Sequence, residues 1–214
     1  MAASFVKQGI ERSGLLGLGL RARRSAPLIL MYHGVSGDEH FAGLRNASGL
    51  HMRRSVFVEH LELLRQYRRV IGIGEMVDGL RNGDDMRNTV ALTFDDGYLN
   101  NYEQVAPALA DFKMPGSFYL TTAYIGTRRW MWTDLVEHAL DRTTRAALPW
   151  PGHADGMPLG TLAARRAALR AVKAHMKTLS VAERDRQVAD LLDQLGVDPG
   201  EPMLDYRFMD WTQA

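Results

Sequence analysis

A short apolar run that ends on two adjacent carboxylates constrains the fold of this chain more than any other feature. The run Thr89–Phe94 consists of apolar or β-favouring residues, which predicts a short buried strand. It stops at Asp95 and Asp96, and the Gly97 that follows can take a backbone turn that a side chain would block. In α/β folds, functional side chains lie where buried strands end in loops. The sequence therefore predicts an α/β fold with a polar site at this strand end.

The acidic pair also has a plainer interpretation as a turn. Asp-Gly is a common turn signal, and an acidic pair before a glycine is usually a solvated loop. Two neighbouring carboxylates beside a buried strand end, however, repel each other unless a cation or a shared proton relieves them. Because adjacent residues of an extended chain point in different directions, Asp95 and Asp96 can serve different roles. One could bind a metal ion while the other transfers a proton.

The segment Thr93–Gly97 resembles the first motif of the polysaccharide deacetylases, the NodB-homology family of metal-dependent carbohydrate N-deacetylases. Four further segments are similar to other parts of the family: Leu30–Val35, Met114–Leu120, Tyr124–Gly126 and Met209–Trp211. The resemblance implies a distorted parallel (β/α) barrel with fewer strands than the usual eight. The alternation of strands and helices by itself does not distinguish this barrel from an open doubly wound sheet.

The resemblance also implies a reaction and roles for residues. The family hydrolyses carbon–nitrogen bonds other than peptide bonds, removing acetyl groups from N-acetylated oligo- or polysaccharides. By resemblance Asp95 is the general base, and Asp96 binds a divalent metal, expected to be zinc. His33 follows the first predicted strand, Leu28–Tyr32, and is a candidate to support the metal ligands from the same edge of the sheet.

The family's remaining metal ligands are two histidines a few residues apart, and this pair is missing. The histidines lie at positions 33, 40, 51, 60, 138, 153 and 175, so no two are three to five positions apart. We therefore expect an amino-terminal part of a deacetylase-type sequence, with a barrel incomplete at its carboxyl end. One carboxylate cannot replace a three-ligand site, so metal affinity and activity are expected to be poor.

Composition excludes some classes of function. The chain of 214 residues is 46% hydrophobic and 24% charged, which is typical of a globular protein with one sizeable core. Its formal net charge of +1 does not favour nucleic acid as a partner. The absence of cysteine excludes disulfides and thiolate chemistry, and it fits a reducing compartment.

The amino terminus predicts neither a signal peptide nor a membrane span. The apolar run Gly14–Leu20 is shorter than the ~18 residues that a spanning helix needs, and arginines follow it without a cleavage pattern. We expect residues 1–26 to be a flexible leader and the protein to be cytoplasmic. An interfacial contact of this run with a membrane is the less favoured alternative.

The family resemblance and the helical periodicity together divide the rest of the chain into three parts. Residues 27–126 should form the deacetylase-like barrel part, residues 127–207 a helical insertion, and residues 208–214 the start of the next barrel helix. The predicted elements are a helix capped by Ser55, a strand Val70–Ile73, helices Met76–Leu80 and Tyr102–Phe112, a strand Gly116–Leu120, a helix Thr133–Ala147, a loop from Pro149 to Gly160, a helix Thr161–Leu179 and a helix from the capping box at Ser180 to before Gly196.

The insertion carries a basic stripe and two tryptophans. No acidic residue occurs from Met157 to Ala182, while five positions are basic: Arg165, Arg166, Arg170, Lys173 and Lys177. A solvated outer face is the simplest interpretation, and a contact with an anionic polymer or membrane surface is the sharper one. Trp130 and Trp132 could stack on a sugar ring, but we favour them as the hydrophobic anchor of the helices.

Two functions from different classes remain open at this stage. The first is a polysaccharide deacetylase, and the second is a non-catalytic remnant or carbohydrate-binding module of the same fold. A glycosidase is disfavoured, because its two carboxylates must flank the sugar ~5–9.5 Å apart, which neighbours in one motif rarely do.

Overall fold

A computed structural model describes residues 26–37, 41–47 and 49–214 of the chain. The prediction of a leader therefore lies outside the described residues, apart from Ala26, and so does His40. None of the helices within the described ranges is long and apolar enough to cross a membrane.

Eight strands and six α-helices make up the described fold. The strands are β1 (Leu28–Tyr32), β2 (Gly34–Ser36), β3 (His51–Arg53), β4 (Arg69–Val70), β5 (Thr89–Phe94), β6 (Ser117–Phe118), β7 (Ala147–Trp150) and β8 (His153–Pro158). The helices are α1 (Arg54–Tyr67), α2 (Ile73–Asn82), α3 (Ala106–Phe112), α4 (Trp132–Arg142), α5 (Leu162–Met176) and α6 (Val181–Leu195). A π-helical turn (Asn101–Val105) precedes α3, and a 3₁₀ turn (Leu204–Tyr206) follows α6.

Strand β5 is the centre of the main sheet. It pairs in parallel with β1 along most of its length, with β4 at its start and with β6 at its end. The carbonyl of Val90 accepts from Ile71 and that of Phe94 from Tyr119, so β4 and β6 lie along the same edge of β5. All six residues of β5 are buried. This confirms the buried parallel strand that the apolar run predicts.

Both faces of β5 are covered by helices, because its side chains alternate between the two faces. Val90, Leu92 and Phe94 belong to a cluster with Phe57 of α1 and Leu109 of α3. Ala91 instead packs with Met76 of α2, together with Ile71 and Met86. The carboxyl end of β5 is thereby fixed against the rest of the fold.

The described residues form an open parallel sheet and no closed barrel. The sheet has four strands in which β5 separates β1 from β4, and the other strands form two separate pairs, β2–β3 and β7–β8. Ile29 and Met31 of β1 are 56% and 61% exposed, so one face of this strand is uncovered among the described residues. The mixed α/β class with parallel strands is thus confirmed, whereas barrel closure is not seen here.

The segment after Gly126 folds mainly as helices around a second core. Helices α4, α5 and α6 pack together through a buried set that includes Val136, Leu140, Leu169, Val172 and Leu191. The prediction of a loop from Pro149 to Gly160 is wrong, because β7 and β8 form an antiparallel hairpin there. Leu148 and Met157 of this hairpin are buried in the helical core, and this burial stabilises the two strands. The Pro/Gly content of the segment predicts a loop instead.

Several predicted boundaries need correction. The helix predicted as Thr133–Ala147 ends at Arg142, and the one predicted as Thr161–Leu179 ends at Met176. Ile73 begins helix α2 and does not end a strand. The prediction of a Ser55 cap is also wrong, since Arg53 is the N-cap of α1 and no side chain caps it. Three-dimensional packing, which the local pattern does not contain, decides these ends.

The two serine caps predicted from sequence give a paired stability test. Ser180 forms a full capping box with Glu183 at the start of α6, whereas Ser55 caps nothing. Ser180→Ala should therefore lower the free energy of unfolding by about 1 kcal/mol, and Ser55→Ala should change it by less than about 0.5 kcal/mol. Urea unfolding followed by circular dichroism measures both. Equal losses in the two variants would contradict the observed cap assignment.

Candidate functional site

The acidic pair lies at the carboxyl end of β5, as the sequence predicts. The backbone N–H of Asp95 donates to the carbonyl of Tyr32 at 2.8 Å, which continues the β1–β5 ladder by one residue. Tyr32 pairs with Phe94 in the parallel register, so His33 leaves β1 at the level where Asp95 and Asp96 leave β5. The ends of two neighbouring strands thus bring these three side chains to one edge of the sheet.

The turn after the strand places Asp96 in an uncommon backbone conformation. Asp96 has φ +73° and Gly97 has φ +80°, so two consecutive residues are left-handed. Aspartate tolerates this region better than most residues, yet such a conformation costs free energy and persists only where its surroundings hold it. Thr121 supplies one restraint, because its N–H donates to the carbonyl of Asp96 at 3.2 Å. Sequence reasoning anticipated the turn at Gly97 but not the one at Asp96.

Asp96 and His33 are close enough to influence each other. The His33 Nε2 and Asp96 Oδ2 atoms are 4.0 Å apart, and both side chains are about one quarter exposed. Burial raises the pKa of Asp96, and the charge of Asp95 raises it further. His33 and the hydroxyl of Thr121, 3.5 Å from Asp96 Oδ1, act in the opposite direction. A cation beside Asp96 would relieve the same penalty.

The donors at this strand end do not complete a catalytic zinc site. Such a site takes three protein ligands and leaves one position for water. Within the described ranges, no group of three or more His, Asp or Glu side chains is arranged to hold a metal ion. Asp96 and its neighbour His33 therefore fit a metal only in part.

A buried hydrogen bond ties the loop after the acidic pair to the helical segment. Tyr98 is fully buried, and its hydroxyl donates to Asp134 Oδ2 at 2.8 Å. The Tyr98 ring stacks on Phe208 with centroids 4.9 Å apart. The N–H of Met209 donates to the carbonyl of Gly97 at 3.0 Å. The hydrogen bond between Tyr98 and Asp134 connects the loop to helix α4. The sequence alone does not predict this bond, because the two residues are far apart along the chain.

A second buried acid, Glu137, extends these contacts into a buried polar layer that consists of Tyr98, Asp134, Glu137, Tyr206 and Lys173. Glu137, one helical turn after Asp134, accepts from the Tyr206 hydroxyl at 3.0 Å. Lys173 Nζ of α5 lies 3.5 Å from Glu137 Oε2. Burial lowers the pKa of Lys173, while its interactions with Glu137 and Asp134 oppose that shift. The only sequence signal for this layer is that two carboxylates occupy the apolar side of helix α4.

A cluster of buried polar side chains lies behind the end of β1. Asn100 Nδ2 contacts His51 Nδ1 at 2.8 Å and Ser36 Oγ at 3.2 Å, all three side chains being buried. Gly34 is required here, because a Cβ on it would lie 2.7 Å from Asn100 Oδ1 and from His51 Nδ1. His51 is thus a structural histidine of the interior.

The two tryptophans of the insertion are anchors in the structure, which agrees with the favoured interpretation. Trp132 packs against the helical core. Trp130 lies against His138 and Tyr206, with ring centroids 4.8 Å and 5.6 Å apart, and its Nε1–H donates to the Gly200 carbonyl.

Comparison with protein families gives one match at this site. Residues 82–146 match the family model described as polysaccharide deacetylase. This segment contains β5, Asp95, Asp96 and the buried pair Tyr98–Asp134. The resemblance to polysaccharide deacetylases is therefore confirmed by an independent match. No match was found among curated proteins.

Three solved structures are similar to part of the chain. The first is a de-N-acetylase from Aggregatibacter actinomycetemcomitans, with 19% identity, a TM-score of 0.38, and coverage of 59% of this chain and 44% of that chain. The second is IcaB from Ammonifex degensii, with 26% identity, a TM-score of 0.43, and coverage of 53% and 48%. The third is the Streptococcus pyogenes deacetylase PplD in complex with acetate, with 22% identity, a TM-score of 0.40, and coverage of 51% and 50%. The similarity therefore spans about half the length of each of these proteins.

The left-handed turn predicts a sharp difference between two glycine substitutions. A Cβ at Gly97 would meet Ile125 Cδ1 and Leu120 Cδ2 at 2.9 Å, in addition to the strain of its positive φ. Gly97→Ala should lower the free energy of unfolding by about 1–3 kcal/mol. Gly74→Ala is the control, because that glycine is helical with open space around it, and it should be neutral or stabilising by up to about 1 kcal/mol. Thermal unfolding of both variants measures the change in stability. A Gly97→Ala variant as stable as the unsubstituted protein would contradict the left-handed turn at Gly97.

The buried acid Asp134 predicts a dependence of stability on pH. Burial raises its pKa from 3.8 to about 7, against the hydrogen bond from Tyr98 and the charge of Lys173. The unfolded chain releases this proton near pH ~3.9 and the folded chain near pH 7. The contribution of Asp134 to the free energy of unfolding is therefore fully present below about pH 4 and is lost as the pH rises to about 7. The free energy of unfolding should fall by about 4 kcal/mol at most over this range.

Asp134→Asn keeps an acceptor for Tyr98 and removes this titration. Its free energy of unfolding, from urea titrations between about pH 4 and pH 8, should fall less with rising pH than that of the unsubstituted protein. Asp111→Asn, which alters an exposed carboxylate, should leave the profile unchanged. Identical profiles for the protein and Asp134→Asn would show that Asp134 is ionised in the fold at all these pH values.

Proposed function

We propose that this chain carries the β5 part of a polysaccharide deacetylase site, which hydrolyses the acetamide carbon–nitrogen bond of N-acetylated sugars. The observation that supports this most is the position of Asp95 and Asp96 at the end of a buried parallel strand, inside the segment that matches the deacetylase family model. His33 Nε2, which lies 4.0 Å from Asp96 Oδ2, adds a third polar group at the same strand end.

Asp95 is the proposed general base. The β1–β5 ladder fixes its backbone, while its side chain is only half-buried, so a water molecule can reach the carboxylate. In an acetamide hydrolysis, this carboxylate accepts a proton from the water that attacks the carbonyl carbon. The departing amine then needs a proton from an acid.

Asp96 is the proposed metal ligand, with zinc as the expected divalent ion. Burial raises the pKa of Asp96, so a cation beside this carboxylate would favour its charged form. Among the described residues, the side chains beside Asp96 nevertheless fall short of the three ligands that a catalytic zinc ion needs. His33 is proposed to support Asp96 from the end of β1.

The incomplete donor set favours one alternative function. A chain of this fold that binds an N-acetylated sugar without hydrolysing it needs the strand-end carboxylates as hydrogen-bond acceptors only. Such a carbohydrate-binding domain would recognise the glycan without any metal. The two functions differ in whether acetate is released and in whether zinc binding matters.

A zinc titration by calorimetry and an acetate-release assay on a chitin oligomer test the proposal. Because a catalytic zinc site takes three protein ligands, the chain should bind zinc weakly and release little acetate. Asp96→Ala should abolish the residual zinc binding, and Asp95→Asn should abolish residual acetate release while zinc binding persists. Asp111→Ala, on the exposed side of α3, is the control and should change neither.

The alternative outcomes are distinct. Tight stoichiometric zinc binding that Asp96→Ala leaves unchanged would contradict the proposed role of Asp96. Acetate release unaffected by Asp95→Asn would exclude Asp95 as the base. Binding of the chitin oligomer without zinc and without acetate release would favour the carbohydrate-binding alternative.

A further inference from the structure

The basic stripe of helix α5 separates in the structure into residues with different roles. The Arg165 guanidinium turns inward and donates to the carbonyls of Leu140, Asp141, Thr143 and Leu159, all at 2.7–2.9 Å. It thereby satisfies the carboxyl-terminal end of α4, where carbonyls lack helical partners. Arg165 is structural. The remaining four basic residues of the stripe are not used in this way.

These four residues line one open groove. It has a volume of about 460 Å³, and its lining residues are Ala47, Arg166, Leu169, Arg170, Lys173, Ala174 and Lys177. Arg166, Arg170 and Lys177 are exposed, and no carboxylate of the described residues lies within 4.0 Å of their charged nitrogens. Lys173 lies deeper and is paired with Glu137. The groove therefore carries three positive charges without a described ion-pair partner.

The four basic residues form a line along the helix. With 3.6 residues per turn, positions 166, 170, 173 and 177 fall within about 60° around the axis and span about 16 Å along it. Their like charges interact, since Lys177 is one of the groups that lower the pKa of Lys173, after burial. A groove lined by charge of one sign concentrates ions of the opposite sign.

We propose that this groove binds a strand of acidic polysaccharide that bears carboxylate groups. The length of the stripe favours an extended polyanion, because a compact anion such as phosphate would reach only one or two of the four charges. The choice of a glycan among extended polyanions rests on the proposed function. The site would hold a part of the chain that does not itself react.

Two other polyanionic partners fit the groove less well. Among the described residues, the lining of the groove contains no aromatic side chain on which a nucleotide base could stack, although single-stranded nucleic acids use such stacking in their binding grooves. A membrane surface would need several exposed apolar side chains beside the charges to enter the headgroup region, whereas Leu169 is buried and Leu162, one turn before Arg166, is 43% exposed. Ala47, on the loop between β2 and β3, gives the groove a second wall.

The test is the binding of oligogalacturonate, an acidic oligosaccharide without acetamido groups, to the full chain by calorimetry at low salt. The variant Arg166→Gln/Arg170→Gln/Lys177→Gln should weaken binding about tenfold or more, because three of the charges are lost. The control Arg54→Gln/Arg81→Gln/Arg186→Gln removes the same charge from exposed arginines elsewhere and should weaken it less than about twofold. Arg170→Glu alone, a single exposed change, should weaken binding even if the triple variant folds poorly.

The outcomes separate this proposal from its alternatives. Equal weakening of oligogalacturonate binding in the two triple variants would mean that net charge alone determines binding, and it would contradict the proposed groove site. Tighter binding of single-stranded DNA or of anionic lipid vesicles than of oligogalacturonate, at equal charge, would overturn the glycan assignment. Because oligogalacturonate has no acetyl group, its binding does not depend on whether the chain releases acetate. Failure of the deacetylase proposal therefore leaves this measurement intact.

Discussion

The burial of β5 on both faces is the constraint on which the candidate site depends. Every side chain of Thr89–Phe94 is inside, and backbone groups on both edges are paired with β1, β4 and β6. A carboxylate within this strand would lose its hydration without a partner, at a cost of several kcal/mol. The first charged residue can therefore appear only where the strand leaves the core. Asp95 occupies that position, and the parallel register brings the end of β1 to the same edge.

A buried polar layer joins the sheet to the helical segment. The apolar cluster around β5 and the cluster formed by α4, α5 and α6 are separate. Tyr98 and Asp134 connect the loop after β5 to α4, and Tyr206, Glu137 and Lys173 connect α4 to its neighbours. Charged and polar groups are costly to bury unless they are paired, and here hydrogen bonds and an ion pair join the two clusters. The acidic turn is thereby supported from a helix that is distant in sequence.

Local patterns in the sequence predicted the elements that depend on local chemistry. The bounds of β1 and β5 and the capping box at Ser180 follow directly from residue type and spacing. The β7–β8 hairpin could not be predicted in the same way, because Leu148 and Met157 make it stable only by entering the helical core. The Tyr98–Asp134 bond joins positions 36 residues apart, and nothing in the local pattern pairs them. The acidic site was thus visible from sequence, while its support was not.

The distribution of charge explains how one chain can present two different surfaces. The formal net charge of +1 suggests near neutrality, yet acids and bases are separated in space. Carboxylates gather at the end of β5 and along the buried side of α4; burial is the main cause that raises the pKa of Asp134, and the charges of Glu137 and Asp96 raise it further. Bases gather on α5, whose sequence contains no acid. Lys173 belongs to the basic residues of α5 and also contacts the buried acids of α4, because it forms an ion pair with Glu137. Since salt screens exposed charges from each other beyond about 10 Å, the local arrangement of charge describes each surface better than the overall net charge does.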